Sequence, residues 1–429
     1  MNKWNVLKAY IQARYRKPFK SKEEIVTYQN KMLQHFFRQL PDDLAYFKQM
    51  TPEQKNQLHI HTLKQLPIIE KTQLMNGFDD MNTIGITKEE AFEIARQAEE
   101  TRDFSPTYKG VTIGLSSGTS GNRGIFLVSP SEREKWAGIM LGKMLPQSIM
   151  RKQKVAFFLR ANSNLYETVA NSRIEFTFFD LLTSVEENIQ KLKELSPDIL
   201  VAPPSMLRMI AEKGPFHSFE KVISVAEVLE ARDKQYLEQV FQQTIHQVYQ
   251  CTEGFLGFTC REGNLHLNEE FVYIEKEYID EEKGIFHPII TDFSRFTQPI
   301  IRYRLNDLLV ESKAPCPCGN ATTVLERIDG RSDDIFTFKQ KERKEDCLIF
   351  PDFIRRAVIM HGDTDDQFRV IQEADLSLSI YLTNIADGEN VIQSLQSLLA
   401  KQGCEQVEMH VYPYEHTKLS TKLRRVFKR

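Results

Sequence analysis

The sequence predicts an α/β protein in which a large N-terminal domain carries doubly wound sheets and a β-subdomain, and a small mobile C-terminal α/β domain follows. Three observations predict it. From residue 155 short apolar or β-branched runs alternate with segments of helical length and period. After residue 265 the pattern turns strand-rich, and after Gly330-Arg331-Ser332-Asp333-Asp334 a compact block begins with its own alternation of strands and helices. The expected domains are residues 1–332 and 333–429, within a chain of 429 residues that has ample length for two cores.

Residues 1–105 read as a helical lead-in, with apolar positions three and four apart through 25–40 and again near 89–98. The apolar run 111–115 then opens into Leu115-Ser116-Ser117-Gly118-Thr119-Ser120-Gly121. Glycines let backbone N–H groups approach a ligand and the hydroxyls add donors, so Ser117, Gly118, Thr119, Ser120 and Gly121 read as a phosphate cradle. A plain Ser/Gly loop is the other reading of these residues. No Gly-Lys-Ser/Thr closes the loop, which argues against a P-loop kinase or GTPase.

Strands are expected at 155–159, 176–179, 199–201, 222–225 and 245–249, with helices at 185–195, 204–212 and 229–241 between them. Buried strands alternating with helices form a parallel sheet, whose ligands sit at the carboxyl ends of its strands. Strands at 271–275, 285–292 and 300–309 suggest the β-subdomain, spanning about 260–330. The last block reads as strand 335–338, helix 351–360, strands 368–372 and 376–382, helix 389–400 and strand 407–412.

Charge excludes some partners. A net charge of −3 leaves no electrostatic footprint for nucleic acid, and the basic stretch 418–429 is too short to make one. Residues 1–20 lack the apolar core of a secretion signal, and no segment approaches the ~18 apolar residues of a membrane span. Six cysteines are too sparse for a disulfide scaffold and fit a reducing cytoplasm.

Several motifs carry chemistry. Tyr249-Gln250-Cys251-Thr252-Glu253 closes a strand at the expected ligand edge, where a tyrosine ring can stack on a base, a threonine can meet phosphate and a glutamate can hold Mg²⁺. Asp307, in Tyr303-Arg304-Leu305-Asn306-Asp307, offers a carboxylate for ribose hydroxyls, although a salt-bridged edge strand would show the same residues. Asp333 sits where a hinge would absorb rotation, and Lys422, in Ser420-Thr421-Lys422-Leu423-Arg424-Arg425, could reach a carboxylate or an α-phosphate.

In this order the motifs resemble the adenylate-forming superfamily of acyl-CoA synthetases, luciferases and peptide-synthetase adenylation domains, over roughly residues 110–429. Within it the chain looks most like the branch that includes phenylacetate-CoA ligase, CapK and F390 synthetase. The resemblance implies ATP-dependent activation of a carboxylic acid through an acyl-adenylate. Ser117 to Gly121 would hold the β- and γ-phosphates, and Ala226-Glu227 would line the adenine side together with Tyr249. Thr252 would contact phosphate, Glu253 Mg²⁺ and Asp307 the ribose; Arg331 joins the nucleotide-binding set, Asp333 is the hinge and Lys422 stabilises charge on the α-phosphate. It also suggests a homodimer.

Cys260 and His266 flank a turn, and Cys316-Pro317-Cys318-Gly319 forms a knuckle about fifty residues later. Three thiolates and an imidazole suit a tetrahedral structural zinc pinning the β-subdomain, and the related branch carries a similar pattern. Free buried thiols beside an unrelated histidine are the other reading.

Two departures shape the acyl acceptor. Arg123 is the cation nearest the cradle, where the family has a Lys- or Pro-containing continuation, and residues 338–347 lack the glycine-bearing loop that follows the hinge. The leading expectation is an acid-CoA ligase acting on an aryl or apolar acid, its pocket drawn from 157–166 and 255–258. Transfer to an amine, a hydroxyl or a carrier-protein thiol is the alternative. A non-catalytic binder of nucleotide or acyl-adenylate is another.

Overall fold

The computed structural model describes residues 2–101, 103, 105–116, 123–159, 173–181, 183–214, 216, 218–331, 334–340, 346–349, 351–359, 367–415 and 424–429. They form two compact units. One comprises Met1–Leu305 and Glu311–Glu326, the other Asn306–Val310 and Arg327–Arg429.

The first unit opens with helices, among them Lys3–Tyr15, Lys22–Gln39 and Lys88–Thr101. Ser21 caps the second by accepting from the Glu24 N–H, with Glu23 and Glu24 in the first turn to meet the helix dipole. A small antiparallel sheet follows, of β1 (Thr107–Tyr108), β2 (Val111–Leu115) and β3 (Ile125–Val128). The helix Pro130–Met144 comes next, begun by a capping box between Ser129 and Glu132 with Pro130 at its first position.

This helix packs against Lys3–Tyr15 at close range. A Cβ on Gly138 would lie 2.3 Å from the Val6 carbonyl oxygen and 2.6 Å from the Ala9 Cβ, and one on Gly142 would lie 2.9 Å from the Ala13 Cβ. Glycines four apart facing alanines four apart let the two backbones touch, which is why residues 138 and 142 have no side chain.

The main sheet gathers β4 (Gln153–Leu159), β5 (Ile174–Asp180), β6 (Ile199–Ala202), β7 (Lys221–Ser224) and β8 (Ile245–Cys251) in the parallel order β5-β4-β6-β7-β8. Helices Val185–Leu195, Pro204–Glu212 and Ala231–Phe241 alternate with these strands, as the sequence predicts. Burial on both faces explains the unbroken apolar runs: all four residues of β6 are buried. Beyond β8 the direction reverses. β9 (Gly254–Thr259) and β10 (Leu265–Leu267) continue the sheet antiparallel, and β11 (Val272–Asp280), β12 (Ile285–Asp292) and β13 (Ile300–Arg304) form a further antiparallel set. The aromatic stretch 255–258, expected to line a pocket, is therefore part of β9, where Phe255 is buried in the core.

The second unit contains all but the last residue of β14 (Asp307–Glu311) and the end of β15 (Val324–Arg331), followed by the β16 (Phe336–Phe338) and β17 (Cys347–Ile349) ribbon. Its four-stranded sheet has the order β20-β19-β18-β21, built from β18 (Phe368–Gln372), β19 (Leu378–Leu382), β20 (Met409–Pro413) and β21 (Val426–Lys428). Phe336, Ile354, Val370, Ile380 and Leu395 make a core of its own, with Ile354 and Leu395 contributed by helices Pro351–Ile359 and Gly388–Lys401.

Within the main sheet, burial and the nearby Lys221 ammonium hold the His246 imidazole down to about 4. The unfolded chain binds that proton near 6.5, so between those values it holds more protons than the folded one and stability falls as pH drops. A urea midpoint lower at pH 5 than at pH 7, with the difference reduced in His246→Gln, is the expected result. Equal slopes in both proteins would contradict it.

Candidate functional site

The first unit carries two of the expected site segments, and specific side chains tie them together. β2 and β3 form a hairpin whose ends are clasped at its loop: the Ser116 N–H donates to the Gly124 carbonyl at 2.7 Å, and the Gly124 N–H donates to the Ser116 hydroxyl at 2.7 Å. The cradle residues Ser117, Gly118, Thr119, Ser120 and Gly121 lie between these anchors and outside the described residues. Two cations stand at the anchors. Lys71 Nζ donates to the Ser116 hydroxyl at 3.4 Å. Arg123 is engaged by the Glu99 carboxylate at 2.5 and 2.6 Å and by the Ser116 carbonyl at 2.9 Å. Arg123, the cation nearest the cradle in the sequence, thus braces the loop's base. Its guanidinium is already engaged on both edges.

Thr252 and Glu253 form the tight turn joining β8 to β9. The Thr252 hydroxyl donates to Glu253 Oε2 at 2.8 Å. The buried Tyr303 hydroxyl on β13 also bonds the Glu253 carboxylate; burial first, and that carboxylate second, raise its pKa above the ordinary tyrosine range. A phenol so held remains a donor, which fixes the carboxylate without neutralising it. Tyr249 is buried within β8.

Arg295 joins the two segments. Its Nη1 donates to the Thr252 carbonyl at 3.0 Å and its Nη2 to the Leu127 carbonyl on β3 at 3.1 Å. Gln298, from the same turn, donates to the Ile125 carbonyl and accepts from the Leu127 N–H, so the hairpin that bears the hydroxyl loop is latched to the segment that follows β12. Neither Arg295 nor Gln298 has a spacing that marks it in the sequence. Tyr303 stands in the Tyr-Arg-x-x-Asp run without an assigned role there.

Ala226 and Glu227 follow β7, at the carboxyl edge of the parallel sheet. Ala226 has φ +67°, the left-handed conformation that glycine adopts freely and that costs alanine on the order of 1 kcal/mol. Glu227 Oε2 accepts from the Ser205 N–H, in the first turn of the helix Pro204–Glu212, at 3.3 Å. The edge-strand reading describes the arginines of β13. Arg302 is buried, paired with Glu275 at 2.9 and 3.0 Å, and Arg304 pairs with Glu70 and Glu277.

In the second unit Asp307 opens β14 and Arg331 ends β15, the Arg331 side chain lying outside the described residues. Asp333 and Lys422 are outside them as well. Their neighbours Asp334 and Arg424 form a close ion pair.

A second constellation lies between β9 and the start of β15. Cys260, His266, Cys316 and Cys318 place one ligand atom each within 4.8 Å of all the others. Cys260 Sγ is 3.7 Å from Cys316 Sγ, and Cys318 Sγ is 3.5 Å from His266 Nε2. Zinc–sulfur bonds of about 2.3 Å give tetrahedral sulfur–sulfur edges of roughly 3.8 Å, so the spacing fits zinc and far exceeds a disulfide bond. His266 Nδ1 meets the Thr322 hydroxyl at 2.9 Å, which aims Nε2 at the thiols. Burial pushes the Cys260 thiol up to about 12, a cost that a bound cation would offset. None of the six cysteines forms a disulfide.

No protein-family model matches the chain. Its sequence is similar to Protein CapK of Staphylococcus aureus, 23% identical over 255 residues, which are 57% of this chain and 54% of that protein. The match thus spans about half of the curated relative. The fold is similar to that of 2-hydroxyisobutyryl-CoA ligase solved in complex with 2-HIB-AMP, with TM-score 0.67 at 15% identity over 96% of this chain and 91% of that one. It is also similar to the GH3.15 acyl acid amido synthetase, with TM-score 0.54 at 11% identity over 92% of this chain and 89% of the other. No described helix is long and apolar enough to cross a membrane. The chain has the fold of the adenylate-forming ligases.

Proposed function

We propose that this chain, built on the adenylate-forming fold, activates a carboxylic acid with ATP and Mg²⁺ as its acyl-adenylate, releasing pyrophosphate, and passes the acyl group to an acceptor. One observation carries the reading: Arg295 joins the hairpin of the hydroxyl and glycine loop to the Thr252-Glu253 turn, so a polyphosphate on the loop has a carboxylate within the same braced assembly. In this reading Ser117, Gly118, Thr119, Ser120 and Gly121 bind the β- and γ-phosphates, Thr252 the phosphate chain, and Glu253 the Mg²⁺. Ala226, Glu227 and Tyr249 line the adenine side. Asp307 takes the ribose hydroxyls, Arg331 assists the nucleotide, Asp333 is the hinge and Lys422 meets charge at the α-phosphate. The attacking atom is the acid's carboxylate oxygen, the bond broken is the α–β phosphoanhydride, and pyrophosphate leaves.

The four-residue Cys/His cluster would hold a structural zinc, with every protein ligand position filled and no open coordination site. The aromatic content favours an aryl or apolar acid, the sparse cysteines a cytoplasmic setting, and the family resemblance coenzyme A as the acceptor and a homodimer. Transfer to an amine or another acceptor is the second reading. The glycine-free, charged stretch 338–347 favours it, and the similarity to an acyl acid amido synthetase is in keeping with it.

The deciding experiment is pyrophosphate release from ATP and Mg²⁺ across a panel of aryl and aliphatic acids, with and without coenzyme A. Acid-dependent release that accelerates with coenzyme A is expected. Release indifferent to coenzyme A would move the reading to another acceptor, and no release with any acid would overturn adenylation.

A further inference from the structure

The helix Lys3–Tyr15 has two apolar faces, and only one of them is covered. Val6, Ala9, Tyr10 and Ala13 are buried against the helix Pro130–Met144 and the core behind it. Trp4, Leu7, Ile11 and Tyr15 are exposed, at 78, 37, 48 and 68% of their surface. At about 100° per residue these four fall within an outward arc of roughly 80°, nearly opposite the buried face. Lys8 flanks that arc on one side and Lys3 with Arg14 on the other.

The outward face is held in position. Arg14 donates to the Leu145 and Pro146 carbonyls, Asn5 donates to Glu134, and the Ile149 N–H donates to the Tyr10 hydroxyl. The last contact places the loop after residue 145 beside the helix, and that loop adds Met150, 64% exposed, followed by exposed Arg151 and Lys152. From residue 2 to residue 22 the chain carries no acidic side chain, although the whole protein has a net charge of −3. Among the described residues neither Lys3 nor Lys8 has an ionic partner.

We propose that this face docks on an anionic lipid surface, the helix lying in the plane of the headgroups with Trp4, Leu7, Ile11 and Tyr15 inserted and the flanking lysines on the phosphates. Aromatic residues at both ends of an apolar stripe, bordered by lysines, match the chemistry of the membrane interface. Charge and size together favour lipid over a second copy of the chain. Two copies face to face would oppose basic flanks, and four side chains offer on the order of 400 Å² where a stable interface needs about 800 Å² from each partner. The proposal does not depend on the adenylation reading.

The test is co-sedimentation of the full chain with vesicles of equimolar phosphatidylglycerol and phosphatidylcholine, against vesicles of phosphatidylcholine alone. Binding to the anionic vesicles only is expected, weakened about tenfold or more by Trp4→Ser/Ile11→Ser and also by Lys3→Glu/Lys8→Glu. Both variants should keep the wild-type melting temperature, because the substituted side chains face outward. Absence of binding to anionic vesicles, or equal binding by the variants, overturns the proposal. So does a concentration-dependent dimer abolished by the Trp4→Ser/Ile11→Ser variant, which would assign the face to a second copy.

Discussion

Glu253→Gln should leave the protein folded and lower acid-dependent pyrophosphate release by about a hundredfold or more. The substitution is nearly isosteric, and the amide oxygen can still accept from the Thr252 and Tyr303 hydroxyls that hold the carboxylate. What disappears is the negative charge. Because the same turn is braced by Arg295 through the Thr252 carbonyl, the variant should not displace the backbone, so the loss reports on charge at the metal rather than on position. Two readouts separate these causes. The Mg²⁺ concentration for half-maximal rate should rise in Glu253→Gln, whereas Tyr303→Phe, which keeps the charge and removes one donor, should lower the rate less and leave the Mg²⁺ requirement nearly unchanged. A Glu253→Gln enzyme with wild-type rate and Mg²⁺ dependence would remove this residue from the mechanism.

Removing the metal should have the largest effect on stability. Elemental analysis should find one zinc per chain, and Cys316→Ser or Cys318→Ser should lose it together with on the order of 4 kcal/mol of stability. The cluster joins the turn after β9 to the loop that enters β15, and His266 on β10 pairs with Val324 on β15. Without the cation, one buried thiol, two half-buried thiols and a buried imidazole face one another with no charge to organise them. Zinc binding should also release protons, most clearly from Cys260, whose thiol burial pushes up to about 12, so affinity should rise with pH. A metal-free purified protein whose four residues titrate normally and whose melting temperature is unaffected by Cys316→Ser would contradict the assignment.

The parallel half of the main sheet was legible because its strands are buried on both faces. Runs such as Ile199-Leu200-Val201 are apolar throughout, and the helices Val185–Leu195 and Pro204–Glu212 carry a clear 3.6-residue period between them. The helix Pro130–Met144 went unread although Ser129-Pro130-Ser131-Glu132 is a visible start signal. Two glycines face Lys3–Tyr15, and the buried carboxylates of Glu132 and Glu134 lie roughly 200° apart around the helix, so no single apolar stripe marks it. The run 300–309 reads as one strand but divides at Leu305-Asn306, and Arg302 takes a positive φ of 44° as its guanidinium turns to Glu275. Local pattern carries no trace of such a long-range pair. For the candidate site, residue type and order marked the Thr252-Glu253 turn and the Cys/His cluster, because chemistry limits which side chains serve there. Arg295, Gln298 and Lys71 were invisible, since their contacts are made by tertiary folding.

The touching helices impose an order of events during synthesis. Arg14 bonds a carbonyl 132 residues further along the chain, and the glycines that receive Ala9 and Ala13 are nearly as distant. At roughly 5–20 residues per second the ribosome takes several seconds to deliver that partner. Until then the helix Lys3–Tyr15 shows water both of its apolar faces, with Tyr10 as exposed as Trp4. A basic, aromatic segment therefore stays uncovered until its partner helix is made. Destabilising the glycine contact, for example with Gly138→Leu, should prolong that exposure and lower the soluble yield measured after expression.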